Sequence, residues 1–108
     1  MKQEPRQQNE LEQAERVVKQ KMIGFLDDAK AKALLPESQE RASYLIDDML
    51  DAIAKHNDRR FTYAKSTFEN LLQYPSFEQH QELISTGKEI LSLANKYWEL
   101  KHQRRPRE

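Results

Sequence analysis

Apolar residues recur along this chain at steps of three and four, the spacing that places side chains on one face of an α-helix. The first run is Leu11, Ala14, Val18, Met22, Phe25 and Ala29, widened by Val17, Leu26 and Ala33. The second is Ala42, Leu45, Ile46, Met49 and Ile53, and the third is Phe61, Ala64, Phe68, Leu71 and Leu72. A fourth, broader run comprises Leu83, Ile84, Gly87, Ile90, Leu91, Ala94, Tyr97 and Trp98. So broad an arc suits a helix touching two neighbours, and Gly87 near its centre with Ala94 would let one of them come close. Gly24 falls opposite the first stripe and weakens its helix by about 1 kcal/mol relative to alanine.

Four prolines, at positions 5, 36, 75 and 106, divide the pattern. Proline lacks the amide proton of an interior helical position but is accepted in the first turn. Leu34-Leu35-Pro36-Glu37 therefore reads as one joint, with Glu37 and Glu40 suited to a first turn, and Tyr74-Pro75-Ser76 reads as another. Ser76 and Gln79 match the S-x-x-Q capping box. Asn9 is the expected N-cap of the first helix. Between the joints, Lys55-His56-Asn57-Asp58-Arg59-Arg60 contains neither glycine nor proline. The stripes on its two sides are offset by about 50° at 100° per residue, which a continuous helix absorbs. The pattern thus predicts an all-α, antiparallel bundle of three long helices at about 8–34, 37–74 and 76–103. A break near 57–59, where Asn57 or Asp58 could cap, would make it a four-helix bundle. The 108 residues form a single domain, with 1–7 and 104–108 expected to fray.

Composition changes this picture little. The hydrophobic fraction is 37% and the charged fraction 33%, which long amphipathic helices with wet outer faces reconcile with folding. There is no cysteine, which excludes disulfides, thiol nucleophiles and Cys-ligated zinc and fits a reducing, cytoplasmic setting. No apolar run reaches the length of a membrane span, and Met1-Lys2-Gln3-Glu4-Pro5 does not read as a secretory leader. Net charge is zero, yet residues 1–54 carry 8 basic and 11 acidic side chains and residues 55–108 carry 10 and 7. Opposite signs help antiparallel helices find their register.

Candidate chemistry is sparse. Glu37-x-x-Glu40 and Asp48-x-x-Asp51 each pair carboxylates one turn apart, as magnesium-binding helices do in all-α nucleotide pyrophosphatases. Both pairs lie close together on one helix, and Asp47 and Asp51 project away from its stripe, so a solvated acidic face is expected and no metal. His56, His80 and His102 have no partner at i+3 or i+4, and two glycines cannot build a phosphate cradle. No enzyme and no cofactor are expected.

Association is the richer theme. Tyr44, Tyr63, Tyr74, Leu93 and Leu100 lie off their local core faces, as does Ile23, and together would form a surface for another protein. The broad last helix also suits self-association. A second reading, a nucleic-acid-binding accessory protein with a basic C-terminal tail, rests on Arg59, Arg60, Lys101, Arg104, Arg105 and Arg107. Finally, Phe77-Glu78-Gln79-His80-Gln81-Glu82-Leu83-Ile84 with Lys88-Glu89-Ile90 resembles the last-helix region of small bacteriocin immunity proteins. That resemblance implies an antiparallel four-helix bundle protecting producer cells at the inner face of the membrane. Family members tend to be basic, whereas this chain is neutral.

Overall fold

Both interior prolines open helices, as their missing amide proton requires. The computed structural model describes residues 5–32 and 36–102. In it α1 spans Pro5–Ala31, α2 Pro36–Ala54, α3 Asp58–Leu71, the single turn α4 Pro75–Glu78, and α5 Gln81–Lys101. Among the described residues there is no strand. α1 begins at Pro5, so Asn9 lies inside the helix rather than capping it, and residues 5–7 are helical. The expectations for 1–4, for Ala33 of the first stripe, for the Leu34-Leu35 part of the first joint and for 103–108 lie outside the described residues.

α1 packs chiefly against α5 and α2 against α3. The first pair is antiparallel: Lys21 meets Glu89 at 3.1 Å, and Lys32, just past the end of α1, meets Glu82, earlier on α5, at 3.6 Å. The two pairs stack on one core, giving a body of 50 × 25 × 17 Å. Ala14, Val18, Met22, Phe25 and Ala29 are buried on α1, as the first stripe predicts. Phe25 reaches both Phe68 of α3, with ring centres 5.5 Å apart, and Phe77 of α4, at 6.2 Å.

The continuous helix over 37–74 does not form. α2 ends at Ala54, and His56 turns the chain with a left-handed φ of 54°. The amides of Asn57 and His56 donate to the carbonyls of Ala52 (2.9 Å) and Ile53 (3.2 Å). These are the two bonds of a Schellman helix end, with histidine where glycine is usual. Asn57 then opens α3, its Oδ1 accepting the Arg60 amide at 3.1 Å. Folding back turns the second and third stripes onto one core, so among the described residues there are four long helices.

The single helix over 76–103 is also interrupted. Tyr74, not Ser76, occupies the N-cap of α4 and makes no side-chain cap, because Pro75 takes the first helical position. Ser76 then falls inside the turn, and its hydroxyl bonds that of the buried Ser38 at 3.0 Å. Phe77 is buried against Phe25, and the chain turns again, with the His80 amide donating to the Phe77 carbonyl at 2.8 Å, before α5 begins.

Candidate functional site

The α2–α3 hairpin carries two of the predicted tyrosines. Arg60 of α3 pairs with Asp48 and Asp51 of α2, which fixes the register. One turn before Asp48 is Tyr44, and about one turn after Arg60 is Tyr63. Tyr44 lies on α2 and Tyr63 on α3, so each helix of the hairpin carries one of them. They are 66% and 65% exposed, and Tyr74 is exposed beyond the end of α3. Leu93 and Leu100 are instead partly buried and pack against the core, and Ile23 is exposed on α1.

Arg60 does not join a basic surface. Its Nε donates to Asp48 Oδ1 and its Nη1 to Asp51 Oδ2, both at 2.8 Å. Asp48 is only 9% exposed, so the solvated acidic face expected on α2 is in part an internal clamp. A buried carboxylate needs such a partner, and a guanidinium spans two of them. The Arg60 hydrogen bond, aided by Lys55, holds the Asp51 carboxyl below the usual carboxylate range. A depressed carboxyl stabilises the fold above its unfolded-state range, and this is lost as pH falls through the folded value. The thermal midpoint of the wild type should therefore exceed that of Asp51→Asn at pH 7. The difference should close as pH falls below about 4. A gap unchanged between pH 7 and pH 3 would mean the clamp contributes nothing through charge.

The α2–α3 turn meets the end of α5. His56 stacks on His102 at 3.8 Å, with planes 12° apart, and lies edge-on to Trp98 at 5.3 Å. Trp98 touches His102 at 4.5 Å and stacks on the buried Phe61 at 4.7 Å and 7°. His102 Nε2 donates to the Ile53 carbonyl at 2.7 Å, adding a partner to the end of α2. Arg59 and Lys101 are thereby brought to one end of the bundle, both exposed. Arg104, Arg105 and Arg107 lie outside the described residues. This ring cluster was not foreseen: His56 and His102 are far apart in sequence, and only the reversal at His56 joins them.

Among the described residues no three potential ligands converge on a metal position, and no helix is long and apolar enough to cross a membrane. Surface hollows include one of about 520 Å³ between α1 and α5 beside Gly24, and one of about 360 Å³ between Glu37, Arg41, Leu71 and Tyr74. Comparison with known protein families, curated proteins and solved structures returns no match. The likeness of residues 77–90 to bacteriocin immunity proteins thus gains no support from them.

Proposed function

We propose that this chain is a non-enzymatic interaction or regulatory module that binds a basic segment of another protein on the outer face of the α2–α3 hairpin. The observation that carries this reading is that Tyr44 of α2 and Tyr63 of α3 are each about two-thirds exposed on that hairpin. Tyrosine offers large contact area at low entropic cost, and its ring face attracts cations. The exposed face of α2 adds Glu37, Glu40 and Asp47, with Arg41 among them and Lys55 paired to Asp51. Acidic groups beside tyrosines suit a lysine- or arginine-rich partner. The lack of cysteine fits a cytoplasmic site of action.

Selection of displayed peptides on the full chain tests this. Enriched sequences should be basic, and Tyr44→Ala with Tyr63→Ala should weaken them at least about tenfold, about 1.4 kcal/mol. The same exposed substitutions should move stability by no more than about 0.5 kcal/mol. Acidic winners, or winners indifferent to both substitutions, would overturn the reading. Concentration-dependent mass of the chain alone would point to self-association instead.

A further inference from the structure

We propose that the bundle end formed by the α2–α3 turn and the C-terminus of α5 binds single-stranded nucleic acid, with an unpaired base seated on the ring of His56. This inference does not depend on the tyrosine face. Its basis is a cluster of rings that reaches from core to solvent. Phe61 is buried, Trp98 stacks on it, His102 lies against Trp98, and His56 stacks on His102 and is exposed. The exposed His56 thus brings an aromatic ring to the surface, and every base has a π-face to lay against it.

The outermost ring is held firmly. The backbone of His56 is fixed by the amide bonds of the helix end, and His102 is fixed by its bond to the Ile53 carbonyl. A residue other than glycine in the left-handed region costs about 1 kcal/mol. The fold accepts that cost at the position that presents the ring to solvent. Backbone strain of this kind concentrates at ligand-binding positions.

Cations flank the cluster. Arg59, Lys96 and Lys101 are exposed and make no ion pair among the described residues, and Lys65 Nζ lies 4.4 Å from the Phe61 ring centre. Asp58 and Glu99 are the acids nearby in sequence, and the cations outnumber them. Two or three phosphate contacts are within the means of this set. For single strands that gives a slope of log K against log salt of about −2. A duplex has no free base for the stack and is disfavoured.

The test uses the full chain and a fluorescein-labelled oligo-uridylate of about twenty nucleotides (roughly the span of one or two such sites). Anisotropy should report binding, and the emission of Trp98, the only tryptophan, should fall. His56→Gly keeps the left-handed backbone and removes the ring. It should weaken binding at least about fivefold, the low end of one lost base stack. His56→Asn, which also tolerates that backbone, should do the same and stands in should His56→Gly fail to fold. Arg59→Gln with Lys101→Gln should weaken binding and flatten the salt slope by about 1 to 2. Uridine monophosphate should compete poorly, which separates a strand site from a nucleotide pocket. The proposal is overturned by no binding at low salt, or by affinity unchanged when the ring is removed. Equal binding of duplex or heparin would overturn it too, since that marks charge alone.

Discussion

Replacing Phe25 by alanine is expected to destabilise the protein by about 4 kcal/mol, within the range of about 3–5 for truncating a buried phenylalanine. Phe25 is fully buried, and its ring lies against Phe68 of α3 and Phe77 of α4. α1 otherwise packs chiefly on α5, so this ring helps join the α1–α5 pair to the rest of the core. Truncation would leave both facing rings without a partner, and a ring pair adds about 0.5–1.5 kcal/mol beyond area burial. A domain of this size has about 5–15 kcal/mol in total. At about 4–8 °C per kcal/mol, the melting midpoint should fall by at least about 15 °C. Circular dichroism during heating and urea titration would measure it. A loss below about 1 kcal/mol would show that the site collapses around the missing ring, or that the three rings do not share one core.

The same core connects the two candidate surfaces. Phe61 is buried beneath Trp98, so the exposed ring of His56 rests, through His102 and Trp98, on core packing. Tyr44 and Tyr63 sit on the two helices that the Arg60 clamp joins. Neither surface is a loop that could drift independently of the bundle. The tyrosines are carried on helix faces, and the turn that carries His56 is tied to α5 through His102 and Trp98.

Helical spacing made the core legible. Val18, Met22 and Phe25, or Leu83, Ile90 and Ala94, are buried where a period near 3.6 places them. Pro36 and Pro75 marked helix starts because the missing amide proton is a local property. What was not legible depended on competition between near-equal local choices or on distant partners. At Lys55–Asn57 no glycine forces a break, and the reversal follows from joint satisfaction of the Schellman bonds, the Asn57 cap and the clamp. The Ser76-x-x-Gln79 pattern is a sound capping box in isolation, but Pro75 starts the turn one residue early and Ser38 claims the serine hydroxyl. Asp48 looked like one more surface acid because its partner is twelve residues away across a turn. The histidine stack lay beyond sequence reasoning for the same reason. Its members share no helix and meet only once the chain has folded back.

Gly87 offers the sharpest test of the packing of α5. A Cβ built there would stand 2.6 and 2.7 Å from the two methyl carbons of Leu72 and 3.2 Å from its Cγ. Leu72 is itself buried, so its side chain has little room to swing away. Alanine at position 87 gains about 1 kcal/mol of helix propensity but overpacks the contact at about 1–3 kcal/mol. Gly87→Ala should therefore lower stability by about 1 kcal/mol. Gly87→Val has less propensity to gain and two further carbons to place, so it should cost about 3 kcal/mol or more. Gly24→Ala is the control. Nothing lies within 4 Å of its added carbon, so the same exchange should raise stability by about 0.5–1 kcal/mol. The contact itself can be isolated by repeating Gly87→Ala in a Leu72→Ala background, where the methyl group enters vacated space. There the penalty should vanish or change sign, a coupling that independent sites do not show. Equal penalties in both backgrounds would mean that α5 and Leu72 do not approach as described, and the close crossing read from Gly87 would have to be abandoned.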